Sequence, residues 1–229
     1  MTKAVARSAV SQNKKRIFIV DDHPLIRLSL RQLLDQQKGI EVVGEAGGAP
    51  EAISGIRQTQ PHLVILDLTL RDGDGMDLLK EISSQWPQIK LLVASMHNEP
   101  IYVERAMRAG ASGYVTKAQP AEELIAAVQT IFLGRLYINP ELSDALMRRS
   151  FNRESDLKEN PINSLSDREL QVFDLLGGGK STREIAEKLM LSVKTIETYR
   201  ENIKQKLSLQ NGNELMYRAV SWKIEIESQ

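Results

Sequence analysis

Three acids, a hydroxyl and an amine stand directly at the ends of short apolar runs, and together they suit the handling of a phosphoryl group. Asp67 follows Leu63-Val64-Ile65-Leu66, and Asp21 and Asp22 follow Ile17-Phe18-Ile19-Val20. Ser95 ends the run Leu91-Leu92-Val93-Ala94, and Lys117 ends Gly113-Tyr114-Val115-Thr116. Continuous apolar runs of this length, bounded by turn residues, read as strands buried on both faces of a parallel sheet. Such sheets bind ligands outside the carboxyl ends of their strands, which is where all of these groups stand. Singly, each has a bland reading, because acids often begin loops and a lysine is often a solvated charge. Their coincidence at successive strand ends is hard to obtain by accident.

In a 2-1-3-4-5 strand order the first and third strands adjoin, so Asp21, Asp22 and Asp67 crowd together. Uncompensated carboxylates repel, and at least one pKa rises. A hard divalent cation relieves the repulsion, and Mg²⁺ favours a few carboxylates together with water and phosphate oxygens. Lys117 then offers a fixed positive charge to a phosphoryl oxygen and Ser95 a hydrogen-bond donor. Asp67 becomes a nucleophile toward phosphorus, forming an acyl phosphate.

The stretches between these runs are amphipathic and helical. One opens at Pro24 with Ile26, Leu30, Leu33 and Leu34 on one face, and another carries Ala52, Ile53 and Ile56 after the weaker strand Glu41-Val42-Val43-Gly44. A third starts near Asp74 with Leu78, Leu79 and Ile82, and a fourth bears Val103, Ala106 and Met107 and closes at Gly110. The last, from Pro120, carries Leu124, Ile125, Val128, Ile131 and Phe132. Strand and helix in alternation predict an α/β fold, a doubly wound five-stranded parallel sheet of the flavodoxin-like kind over residues 16–133. Residues 134–164 read as a linker with a short helix over Pro140–Phe151 whose Leu142, Ala145, Leu146 and Met147 share a side.

Residues 165–229 change character and read as a small all-α domain. Ser166 with Glu169, and Ser181 with Glu184, form capping boxes, and Ser192 caps a third helix. The first of these helices stops at Gly177-Gly178-Gly179, and two short helices then follow with a brief turn between them, which is helix-turn-helix arithmetic. Gly179-Lys180-Ser181 mimics the tail of a P-loop, but Asp174 stands where that motif needs glycine. In the third helix, at about 193–206, Ile196, Tyr199, Ile203 and Leu207 face the core, leaving Lys194, Glu197, Thr198, Glu201 and Gln205 outward. The second helix of such a motif enters a major groove. A final helix over Asn213–Trp222 finishes this core or forms a dimer seam.

Composition narrows the class without deciding it. Across 229 residues Lys+Arg equal Asp+Glu at 30 each, so net charge points to neither nucleic acid nor membrane. No apolar stretch approaches the roughly 18 residues of a membrane span. There is no cysteine, which excludes disulfides, thiolate metal sites and cysteine nucleophiles, and fits a reducing, cytoplasmic setting. Met1 to Arg16 lack the apolar core of a secretory signal and read as a tail.

Phe18-Ile19-Val20-Asp21-Asp22-His23-Pro24, Leu66-Asp67 and Ala109-Gly110-Ala111-Ser112-Gly113-Tyr114-Val115-Thr116-Lys117 resemble the receiver domain of two-component response regulators. Leu165-Ser166-Asp167-Arg168-Glu169-Leu170, Arg183-Glu184-Ile185-Ala186 and Ser192 to Leu207 resemble the LuxR-type helix-turn-helix. The whole chain is thus similar to response regulators of the NarL/FixJ type. The resemblance implies that Asp67 accepts phosphate from a sensor histidine kinase. It implies Mg²⁺ on Asp22, Asp67 and the Thr69 backbone carbonyl, with Asp21 in the outer shell, and Ser95 and Tyr114 as a switch pair. It further implies that Glu197, Thr198 and Glu201 face bases of double-stranded promoter DNA while Lys194, Thr195, Arg200 and Lys204 reach phosphates. A homodimer on phosphorylation is expected, and no membrane partner. Arg71 stands where the family often has proline, and Tyr199 where it usually has histidine. Two other readings stay open. A haloacid-dehalogenase-type phosphatase also uses a strand-end Asp but needs a second one where Thr69 stands. A regulator that works without phosphorylation would keep its receiver for dimerisation alone.

Overall fold

A computed structural model describes residues 14–70, 73–152 and 161–227. The expected tail at Met1 to Arg16, apart from its last residues, lies outside them, as do Arg71 and the polar stretch 153–160. Strands β1 (Lys15–Val20), β2 (Ile40–Ala46), β3 (Leu63–Leu66), β4 (Lys90–Ser95), β5 (Gly113–Thr116) and β6 (Tyr137–Ile138) form one parallel sheet in the order 2-1-3-4-5-6. The sheet therefore has six strands where five were expected. The sixth comes from the segment read as linker: two residues are too few for apolar alternation to register, and β6 is an edge paired only through Gly113 and Tyr114.

Successive side chains of a strand point to opposite faces, so each central strand feeds two cores. Phe18, Val20, Val64, Leu66 and Val93 pack under helices α2 (Ala49–Thr59), α3 (Gly75–Gln85) and α4 (Pro100–Arg108). Ile17, Ile19, Leu63, Ile65 and Leu92 pack under α1 (Pro24–Asp35) and α5 (Ala121–Phe132). Burial on both faces explains why these strands read as unbroken apolar runs. Gly110 takes φ +106° after α4, the left-handed turn expected of it.

Helix α6 (Pro140–Asn152) follows the sheet; Leu142 is buried, but Met147, expected beside it, is exposed. After a short 3₁₀ turn at Pro161–Ser164 come α7 (Asp167–Gly177), α8 (Thr182–Leu189), α9 (Val193–Lys206) and α10 (Gly212–Glu227). Both capping boxes form, and Ser192 Oγ accepts from the Thr195 N–H at 3.0 Å. Leu170, Phe173, Ile185, Leu189, Ile196, Ile203, Leu215, Ala219 and Trp222 make the core of this helical unit. α10 runs five residues past its expected end at Trp222. Among the described residues no helix is long and apolar enough to cross a membrane.

The loop after Asp67 is shaped by a close approach. Thr69–Leu70 and Gly73–Asp74 pair as a small antiparallel ladder, and Asp74 caps α3 by accepting from the Met76 N–H. A Cβ on Gly75 would lie 2.5 Å from Leu68 Cα and 2.6 Å from its carbonyl oxygen, and closer still to that of Asp67. These are backbone atoms at and beside Asp67 and cannot swing away. Gly75→Ala is expected to lower stability by about 1–3 kcal/mol, the usual range for overpacking, measured by urea denaturation; an unchanged midpoint would refute the steric reading.

Candidate functional site

Register alone brings the acids together. Val20 pairs with Leu66, the Asp67 N–H donates to the Val20 carbonyl at 2.9 Å, and Asp21 and Asp67 emerge side by side. Both are buried, at 1% and 3% exposure, and with Asp22 and His23 they place one ligand atom each within 4.8 Å of one another. Lys117 Nζ lies 2.5 Å from Asp21 Oδ2 and 2.6 Å from Asp67 Oδ2, bridging the two. The other oxygen of Asp67 accepts from the Thr69 N–H at 3.1 Å. His23 is largely exposed and its Nδ1 rests 2.5 Å from Asp22 Oδ1, as suits a loop residue beside the acids.

Burial pushes the Asp67 carboxyl above its ordinary pKa; Lys117 and the Thr69 N–H oppose the rise without cancelling it, and Asp21 adds to it. Burial would lower the pKa of Lys117, but Asp67 and Asp21 outweigh it and hold the ammonium charged. Three carboxylates against a single ammonium leave net negative charge in a poorly solvated pocket. That donor set, all oxygen and partly buried, fits a hard divalent cation.

The two hydroxyls nominated as a switch pair meet at one residue. Ser95 is fully buried, and its Oγ accepts from the His97 N–H at 3.2 Å. Tyr114 is likewise buried, and its hydroxyl donates to the His97 carbonyl at 2.8 Å. The His97 side chain points away from the acids, toward the helical unit, with Nδ1 3.6 Å from Glu99 Oε2 and 3.8 Å from Asp174 Oδ2. Met96, next to Ser95, is exposed, and His97 faces α7.

Around His97 lies a set of contacts that no sequence spacing could announce, since the partners are 49–124 positions apart. Arg105 of α4 pairs with Asp167 Oδ1 at 2.7 Å and donates to the Leu165 carbonyl at 2.8 Å. Lys80 of α3 takes Asp167 Oδ2 at 2.7 Å. Lys223 of α10 spans Glu99 Oε1 at 2.9 Å and Asp174 Oδ1 at 2.6 Å. Arg168 Nε is 3.4 Å from Asp74 Oδ2. Burial opposes ionisation of Glu99, but His97 and Lys223 overcome it and hold its pKa down at about 2.

The outward face of α9 stays open. Lys194, Glu197, Thr198 and Glu201 are exposed, while Thr195, Arg200 and Lys204 are half-buried. Arg200 Nη1 donates to Thr182 Oγ1 at 2.7 Å and Lys204 pairs with Glu201 at 2.7 Å, so two of the expected phosphate contacts are tied within the motif.

The family model for the response regulator receiver domain matches residues 17–129, and that for bacterial regulatory proteins of the luxR family matches residues 163–219. The chain is 35% identical over 213 residues to the oxygen regulatory protein NreC of Staphylococcus carnosus, covering 91% of this chain and 98% of that one. It is 33% identical to the response regulator GacA of Pseudomonas protegens, covering 90% and 95%. The chain belongs to the LuxR-type response regulators. These are transcription regulators of the NarL/FixJ type, not enzymes, which removes the phosphatase reading. Among solved structures, RcsB of Salmonella typhimurium aligns with 26% identity and a TM-score of 0.64, covering 91% of this regulator and 98% of that chain. RcsB bound to the promoter P1flhDC with phosphomimetic BeF₃⁻ aligns with a TM-score of 0.63 at 27% identity, covering 91% and all of that chain.

The raised pKa of Asp67 has a consequence for stability. The folded carboxyl holds its proton more tightly than the unfolded one, so ionisation costs stability above the raised value, and the cost vanishes below the ordinary 3.8. Without Mg²⁺ at neutral pH, Asp67→Asn, which leaves Lys117 paired with Asp21, is expected to raise Tm. Added Mg²⁺ should stabilise the wild type more than the variant. A variant that melts lower in chelator would contradict the burial argument.

Proposed function

We propose that this regulator accepts a phosphoryl group on Asp67 from the phosphohistidine of a sensor histidine kinase and thereby controls its binding to double-stranded promoter DNA. The observation that carries this reading is the Lys117 bridge between buried Asp21 and Asp67 at one strand-end rim. In the transfer, an Asp67 oxygen attacks phosphorus, the P–N bond breaks, and the imidazole leaves as the acyl phosphate forms. Asp22, Asp67 and the Thr69 carbonyl would hold Mg²⁺, with Asp21 outside; when bound, the ion supplies positive charge to the phosphoryl oxygens. Lys117 turns from the carboxylates to the phosphoryl group, taking over part of its charge.

Ser95 and Tyr114 act as the switch pair. A phosphoryl group on Asp67 competes for the Ser95 hydroxyl and draws it from the His97 N–H. Tyr114 then follows, releasing the His97 carbonyl. Because His97 and Glu99 sit against Asp174 and Lys223, this displacement loosens the ion-paired contact between the receiver, residues 16–133, and the DNA-binding unit, residues 165–229, across the connector at 134–164. The modification acts as a ligand with different affinity for the docked and undocked forms. Undocked, two copies pair on DNA in the cytoplasm.

Reading of DNA falls to α9. Glu197, Thr198 and Glu201 meet base edges, where Glu can accept from cytosine N4, and Lys194, Thr195, Arg200 and Lys204 meet phosphates. Arg200 and Lys204 must exchange Thr182 and Glu201 for the backbone.

Footprinting on the promoter beside its own gene, with and without acetyl phosphate, tests the switch. The expected result is at least about a tenfold gain in affinity on phosphorylation, roughly 1.4 kcal/mol, absent in Asp67→Asn. Equal occupancy in both states would overturn it. Lys194→Ala should weaken binding evenly across sequences and reduce the salt slope by about 0.9; an unchanged slope would remove Lys194 from the phosphate contacts.

A further inference from the structure

The contact between receiver and helical unit contains a donor set that ion pairing alone does not use. Lys223 binds one oxygen of each acid, Glu99 Oε1 and Asp174 Oδ1. The other two oxygens turn toward His97 Nδ1, at 3.6 Å from Glu99 Oε2 and 3.8 Å from Asp174 Oδ2. One ligand atom from each of the three residues lies within 4.8 Å of the others. Glu99 and Asp174 are buried, at 4% and 6% exposure.

Two buried oxygens here lack hydrogen-bond partners. Glu99 Oε2 accepts none, and neither does the Tyr102 hydroxyl engage any, although its residue is 97% buried. Tyr102 stacks on the His97 ring at 4.1 Å, fixing that ring's orientation, and feels the charges of both Asp174 and Glu99. Buried polar atoms of native proteins are nearly always satisfied, so the orphaned Glu99 Oε2, itself one of the donor set, points to a missing water or ion.

We infer that His97, Glu99 and Asp174 form a transition-metal site, suited to Zn²⁺, that staples the receiver to the DNA-binding unit. Zn²⁺ bonds of about 2.0–2.1 Å in a tetrahedron put ligand atoms roughly 3.4 Å apart, so the two spacings to His97 Nδ1 need to close by only a few tenths of an ångström. One imidazole and two carboxylates suit Zn²⁺ better than Mg²⁺, which takes oxygen. The fourth position is left for water. Two carboxylates and one ammonium leave a net negative charge, which a divalent ion offsets. Because the ligands come from both units, bound metal favours the docked form; that consequence rests on the switch proposed above, whereas binding itself does not.

Calorimetric titration of ZnCl₂ into untagged, chelator-stripped full-length protein, in saturating Mg²⁺ to fill the acidic pocket, tests the site. The expected result is one equivalent bound with micromolar or tighter Kd, about 1000-fold or more tighter than a millimolar background. His97→Ala and Asp174→Asn should each lose at least tenfold, while Asp22→Asn and Asp67→Asn keep the wild-type affinity. Circular dichroism and phosphoryl uptake at Asp67 check that the His97 and Asp174 variants are folded. No saturable binding in the wild type, binding that survives His97→Ala, or binding lost in Asp22→Asn would overturn the site. None of these outcomes depends on DNA, so the site can fail while the phosphorylation switch stands.

Discussion

Two acids buried at neighbouring strand ends, with one ammonium between them, are the constraint on which the rest of the molecule depends. The Val20–Leu66 register puts Asp21 beside Asp67, and apolar packing on both faces of β1 and β3 leaves no freedom to separate them. A carboxylate that burial makes costly to ionise is one that gains from a cation and from a change of charge at its oxygen. The strand-end rim thereby becomes a place where adding a phosphoryl group has large local electrostatic effect. Gly75, whose missing side chain lets the loop close on the Asp67 and Leu68 backbone, belongs to the same constraint.

The effect has a short route outward. Ser95 and Tyr114 both end on the backbone of His97, and the His97 side chain ends on the contact with α7. That contact carries charged pairs, Arg105, Lys80 and Lys223 against Asp167, Glu99 and Asp174, beside apolar side chains of both units that share one buried cluster. Breaking a half-buried pair by moving one partner is expensive, while separating both partners into water is far less so. Ion pairs of this kind hold while their geometry holds and release when a loop shifts, which suits the proposed switch. The outward face of α9 is exposed in the docked form. On the proposed switch, control by docking works through the placement of whole units rather than by covering α9.

Much of this was legible in the chain. The unbroken apolar runs ending in Asp21, Asp67, Ser95 and Lys117 announced a parallel sheet and its functional rim, because burial on both faces leaves no other pattern. The capping boxes at Ser166 and Ser181 announced helix starts, because their geometry is local. What stayed hidden was short or distant. β6 is two residues long, and its pairing depends on the space beside Gly113. Asp167 and Arg168 read only as residues of a helix start, yet one binds Arg105 and Lys80 and the other approaches Asp74. The direction of the His97 ring is set by stacking on Tyr102, which spacing cannot convey.

The most direct measurement is a crystal structure of the whole chain grown with Mg²⁺ and beryllofluoride. The expected result is an adduct on Asp67 with Lys117 and Ser95 turned to it, and Lys223 parted from Glu99. An adduct on Asp67 with Ser95 still held by His97, and Lys223 still between Glu99 and Asp174, would contradict the coupling of the rim to the contact.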